Sequence, residues 1–192
     1  MNDRNIMKRS FKIGDLLGLE IRTRPSALLA AILIWAIFSL VCIRIFKWKP
    51  KTAAAGGFLA MVIHFFSEGW HQLGHSQMAE QTGYPMHGME FWGPLATSLY
   101  PENEGMLSAD VHIQRALGGP IFSLALTMIT GAIALALRPL GGPALVLAFF
   151  TFLDNMLVFT VGALFPLSFN DGGTLLHWWG HRQRGQRFLI LN

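Results

Sequence analysis

His64-Phe-Phe-Ser-Glu68-Gly-Trp-His71-Gln72-Leu-Gly-His75 closes a long apolar run that begins near Thr52. A helix turns about 100° per residue, so His71 and His75 fall roughly 40° apart, one turn above the other on one face. Two imidazoles at that spacing let a single helix supply two ligands to a tetrahedral zinc. Packing or inter-helix hydrogen bonding would use the same pair, so the spacing alone leaves both readings open. Residue 72 adds a second point: a zinc helix of the form H-E-x-x-H carries a glutamate base there. This chain has Gln72.

Working outward, the composition puts that helix in a membrane. Hydrophobic residues make up 52% of the 192-residue chain and charged residues only 14%, against about 25% charged in a soluble domain. The mean hydropathy is +0.41. A net charge of +4 and a pI near 9.6 raise the question of nucleic acid. The basic residues, however, sit in short runs beside apolar stretches, which fits a lipid surface and argues against a nucleic-acid partner. The single cysteine, Cys42, excludes an internal disulfide framework and a cysteine-based zinc site.

The hydropathy profile divides the chain into four expected spans. Residues 1–25 are a basic cytoplasmic or interfacial segment with Arg4, Lys8, Arg9, Lys12, Arg22 and Arg24, in which Ile13 to Ile21 is expected at the interface. Ser26 to Phe46 is long enough to span and reads as a retained first helix rather than a cleavable signal peptide. The second helix is expected from about Ala53 to Thr82, the third from Ile113 to Leu137 and the fourth from Ala144 to Leu167. Between the second and third, Gly83-Tyr-Pro85, Gly93-Pro94 and Met89-Glu-Phe-Trp92 predict one or two short strands. Residues 174–192 are a basic interfacial tail, in which His177 and His181 are incidental. The fold class is therefore an all-α integral membrane protein, a single embedded domain over residues 1–192 with a small β element.

Four spans place both termini on one side. Ten lysines and arginines fall on that side and five on the other, so the positive-inside bias predicts cytoplasmic termini and a multi-pass protein of the plasma membrane. The second and fourth helices then both descend toward the cytoplasm. His75 and Asp171 arrive at the same depth by two independent routes.

At this point the chain resembles the site-2 protease family of intramembrane zinc metalloproteases. Arg22-Thr-Arg-Pro-Ser26 is similar to the segment before that family's first span. His71-Gln-Leu-Gly-His75 with Ala79 and Gly83 resembles its zinc helix, and Leu117-Gly-Gly-Pro120 its glycine-proline motif. Pro166-Leu-Ser-Phe-Asn-Asp171-Gly-Gly resembles its segment ending in Asp-Gly. The resemblance implies that His71, His75 and Asp171 are the zinc ligands, with the fourth position left for water. A metal partner would also explain a lone carboxylate in lipid. Gly172 and Gly173 are expected to turn the backbone tightly after the ligand, and Met89–Trp92 to offer a strand edge to an unwound substrate segment.

Three departures from the family pattern qualify the expectation. Gln72 can hold water but cannot take its proton. Glu68, one turn earlier, is the candidate for a substitute base or for orienting a ligand. Ala163 and Ser123 stand where the family often has asparagine. The implied function is an intramembrane zinc metallopeptidase, impaired by Gln72, that acts on a transmembrane segment of a protein substrate. The alternatives are an inactive, zinc-binding relative (a pseudoprotease) that holds client helices, and a small metal-dependent transporter with a continuous polar path. His64, Asp154 and Asn155 are polar groups in mid-membrane; hydrogen bonding between helices or contact with water or substrate would each account for them.

Overall fold

The computed structural model describes residues 9–190, with side chains as far as Arg182. Arg4 and Lys8 of the basic N-terminal segment, and the side chains of Arg184 and Arg187, lie outside the described residues. Two strands come first, β1 (Phe11–Leu16) and β2 (Leu19–Thr23), then helices α1 (Pro25–Arg44) and α2 (Pro50–Gln81). Strands β3 (Gly88–Trp92) and β4 (Leu95–Leu99) follow. Helix α3 (Ala109–Leu137) leads to α4 (Gly142–Asp154), which continues as a π-helical stretch over Asn155–Val161 and one 3₁₀ turn at Gly162–Leu164. The last helix, α5, is Asp171–Ile190.

Proline opens α1, α2 and α4, where its missing N–H leaves no intrahelical bond unmade. Three helical segments are long and apolar enough to cross a bilayer: Pro25–Arg44, Ala109–Leu137 and Gly142–Leu164. The expected fourth span, α2, does not meet the same measure, although it is 32 residues long. From its middle onward it carries His64, Glu68, His71, Gln72 and His75, all buried by neighbouring elements. The polar residues that build the site are the reason it reads as less apolar.

The β element is larger than the sequence suggests. It is a four-stranded sheet in the order β1-β2-β3-β4. The segment Ile13 to Ile21 is most of a hairpin turning at Leu17 and Gly18, both at positive φ (52° and 81°). β2 then pairs in parallel with β3, and β3 antiparallel with β4. Because β3 is paired on both sides, Met89–Trp92 offers no free edge; the edge strands are β1 and β4. Leu19, Met86 and Met89 form the sheet's small core, backed by Leu73 of α2. The carboxylate of Glu90 meets Arg24 at the start of α1, which ties sheet to bundle.

Close helix contact depends on glycine at two crossings. A Cβ at Gly57 would come 2.6 Å from the Trp35 carbonyl of α1. One at Gly74 would come 2.3 Å from the Gly118 carbonyl of α3, and the reverse holds for Gly118 against Gly74. Small residues thus let α2 seat against both partners in the manner of packed membrane helices.

Candidate metal centre

Three side chains from two helices converge beside the Gly74–Gly118 crossing. His71 and His75 come from α2, and Asp171 is the first residue of α5. His71 Nε2 lies 3.2 Å from Asp171 Oδ2, His75 Nε2 lies 3.4 Å from Asp171 Oδ1, and the two Nε2 atoms are 3.1 Å apart. Together they form a group whose ligand atoms all lie within 4.8 Å of one another. The structure brings together the three residues expected as ligands.

The outer ring nitrogens explain how the inner ones face each other. His75 Nδ1 sits 2.8 Å from the carbonyl oxygen of Arg115. A carbonyl only accepts, so the proton is on Nδ1 and Nε2 carries a lone pair. The longer approach of the Gly119 N–H to that same Nδ1, at 3.3 Å, is the weaker contact. His71 Nδ1 meets the hydroxyl of Ser123, fully buried on α3, at 3.0 Å. The Asp171 carboxylate also only accepts when ionised. A lone pair and a carboxylate thus converge with His71 in a buried space, an arrangement that a cation satisfies. The donor set of two imidazoles and one carboxylate fits zinc.

Glycine makes room for this. A Cβ at Gly119 would stand 2.4 Å from both His71 Nε2 and His75 Nε2. Gly172 and Gly173 are also needed for space, but not for the tight turn expected of them. They lie in the first turn of α5, and a Cβ there would meet the Leu164 and Leu167 carbonyls at 2.2 and 1.9 Å. Asp171 opens that helix, where the positive end of its dipole favours a carboxylate.

Gln72 and Glu68 face strand β4. Gln72 Nε2 donates to Glu68 Oε1 at 3.0 Å and to the Ala96 carbonyl at 3.3 Å, while Gln72 Oε1 accepts from Ser98 Oγ at 2.8 Å. Glu68 Oε1 also accepts the Ala96 N–H at 2.8 Å. Both side chains line the cavity beside the three converging residues, a space of about 710 Å³ that Ala163, Asn170 and Tyr100 also border. Two groups on α2 therefore hold the edge strand along the cavity wall.

The polar groups left open by the sequence form helix-to-helix bonds. His64 Nδ1 lies 3.1 Å from both carboxylate oxygens of Asp154, and its Nε2 donates to the Pro94 carbonyl at 2.7 Å. Asn155 Nδ2 donates to Ser67 Oγ and to the Thr151 carbonyl, each at 2.9 Å. Phe159, in the π-helical stretch, packs against the rings of His64 and His71. The extra residue per turn in such a stretch commonly marks a functional region.

Sequence reasoning passed over Arg115, treating it only as a topological charge. Its guanidinium is buried, lies 4.0 Å over the Tyr100 ring, and makes a two-point pair with Glu104 and a bond to the Tyr84 carbonyl. Arg115 beside Glu104 holds that carboxyl below its ordinary value of 4.5. Burial pushes the Tyr100 phenol up, so it stays neutral beneath the cation. His177 and His181 belong to a ring cluster in which His112 stacks on Trp178 at 4.0 Å, docking α5 on α3.

The fold is similar to that of a solved structure titled Site-2 Protease from Methanocaldococcus jannaschii. The likeness has a TM-score of 0.60 and 16% sequence identity, over 88% of this chain and 70% of that one. No family model and no curated protein matches the sequence. The chain thus has a site-2-protease-like fold, and with its three apolar helices it reads as a multi-pass membrane protein.

Proposed function

We propose that the chain is an intramembrane zinc metallopeptidase of the site-2 protease type, hydrolysing peptide bonds in or near transmembrane segments, with turnover impaired by Gln72. The observation that carries this reading is the convergence of His71, His75 and Asp171 within one buried space. When bound there, zinc supplies Lewis acidity toward the scissile carbonyl and brings the pKa of its water to about 7. The chain's own residues do the rest. The Arg115 carbonyl and the Ser123 hydroxyl orient the two imidazoles, and the cavity-side edge of β4, where Glu68 and Gln72 hold only the N–H and carbonyl of Ala96, takes an extended substrate segment by strand addition. In this reading α2 crosses the membrane inside the bundle as a fourth span, and both termini are cytoplasmic.

Gln72 donates and accepts but takes no proton, and losing a general base costs typically 10²–10⁴-fold, about 3–5 kcal/mol of barrier. Glu68 is the nearest carboxylate to that position and the residue proposed to stand in as base. A second reading, an inactive relative that holds zinc and client helices, is favoured by one specific observation: both ends of the Gln72 amide are already bonded to Glu68, Ala96 and Ser98. Cleavage of a transmembrane peptide by the purified chain separates the two. Activity in the unaltered chain that Glu68→Ala abolishes supports the impaired enzyme. Activity that appears only in Gln72→Glu supports the inactive relative, and none in either, with zinc retained, refutes the peptidase.

A further inference from the structure

At the end of the bundle remote from the metal centre, α1, α3 and α4 enclose a groove of about 720 Å³. Gly119 and Ala134 of α3 are 15 residues apart, so the groove lies about 22 Å along the helix from the histidines. Its walls are Phe38 and Val41 of α1, Gly131 and Ala134 of α3, and Phe149 and Phe152 of α4, with Arg138 at its rim. Gly131 keeps the groove open: a Cβ there would meet the Phe152 ring at 3.0 Å. The volume is that of a small-molecule pocket, roughly 300–1,000 Å³, yet the walls are hydrocarbon and Arg138 supplies the charge.

The charges around this end are one-sided. Arg138 borders the groove, while Arg44 ends α1, Lys47 and Lys49 lie in the α1–α2 loop and Lys51 is in the first turn of α2; all five are exposed. Between residues 25 and 63, and between 116 and 153, there is no aspartate or glutamate. None of the five cations takes part in an ion pair among the described residues. An apolar slot with an unbalanced cationic rim complements one occupant: an acyl chain below and an anionic headgroup above.

We infer that this groove is a binding site for an anionic glycerophospholipid, one acyl chain lying between Phe38, Ala134 and Phe149 and the phosphate held by Arg138 with the lysines of the α1–α2 loop. The site is independent of the metal centre and of any peptidase activity. Each cation near a membrane surface favours an anionic lipid by about fivefold, so removing one has a readable effect. The full chain, purified in detergent and equilibrated with an equimolar mixture of phosphatidylglycerol and phosphatidylcholine, is weighed intact by native mass spectrometry. The expected result is one retained lipid per chain, phosphatidylglycerol over phosphatidylcholine. Arg138→Gln, an exposed change at a helix end, lowers that preference about fivefold without lowering the melting temperature. Ala134→Phe fills the slot and removes both lipids. No retained lipid, equal retention of the two, an unchanged preference in Arg138→Gln, or a dimer of the chain in place of bound lipid would each overturn the assignment.

Discussion

Gly119→Ala adds one methyl group at the candidate metal centre and leaves every donor in place. The new Cβ would stand 2.4 Å from the Nε2 atoms of both His71 and His75, whereas ordinary contact begins at 3.4 Å. Both rings would therefore move by about 1 Å, twice the roughly 0.5 Å within which a ligand constellation must be held. Neither ring is free to move: His75 is held by the Arg115 carbonyl and His71 by Ser123. Overpacking of this kind costs about 1–3 kcal/mol, which corresponds to about 5–150-fold in zinc affinity if the strain is released by losing the ion. The assay is zinc per chain by mass spectrometry of the purified protein after dialysis against graded chelator. Gly69→Ala is the control, since a Cβ there meets nothing within 4 Å. Gly119→Ala should lose zinc at chelator levels where Gly69→Ala keeps it. Equal retention in both would refute the claim that the ion sits between those imidazoles and Gly119.

Other consequences follow from the same geometry. Ser123→Ala removes the hydroxyl beside His71 Nδ1 and should weaken zinc binding about 10–100-fold, the usual effect of losing a ligand's supporting bond, as read by competition with a chromophoric chelator. Gly74→Ala drives a methyl into the Gly118 carbonyl, 2.3 Å away, and should lower stability by about 1–3 kcal/mol in a denaturation series in detergent. Glu104, its pKa depressed by Arg115, contributes stability that is complete above about 4.5 and is lost as pH falls through its lower folded-state value. Glu104→Gln should therefore cost about 1–3 kcal/mol at pH 7 and flatten the acid limb of the stability profile. Trp178→Ala removes the stack on His112; protease should then cut within α5 sooner than in the unaltered chain.

The site was legible because its signal is local twice over. Helical spacing fixes His71 and His75 on one face, and the run ending Asp171-Gly172-Gly173 marks the third residue, so only the meeting of the two depended on the fold. The sheet was less legible. Phe11 to Leu16 leaves Phe11, Ile13 and Leu16 exposed, and its hairpin turns on Leu17-Gly18 rather than on an asparagine-glycine pair, so it reads as interfacial. The parallel pairing of β2 with β3 joins Glu20 to Gly88, and no local pattern encodes a partner that distant. Because that pairing occupies the second side of β3, the edges of the sheet fall to β1 and β4. Arg115 escaped for the same reason: its partners Tyr84, Tyr100 and Glu104 gather only when the loop before α3 folds back. The span count stopped at three on hydropathy because α2 carries the buried polar site itself.

X-ray absorption at the zinc edge of the purified chain reads directly whether His71, His75 and Asp171 share one zinc ion. The expected spectrum shows a nitrogen and oxygen shell at about 2.0–2.1 Å with the outer scattering of two imidazoles, which falls to one in His75→Ala and loses an oxygen in Asp171→Ala. An absence of zinc in the unaltered chain, or a shell that neither substitution changes, would contradict it.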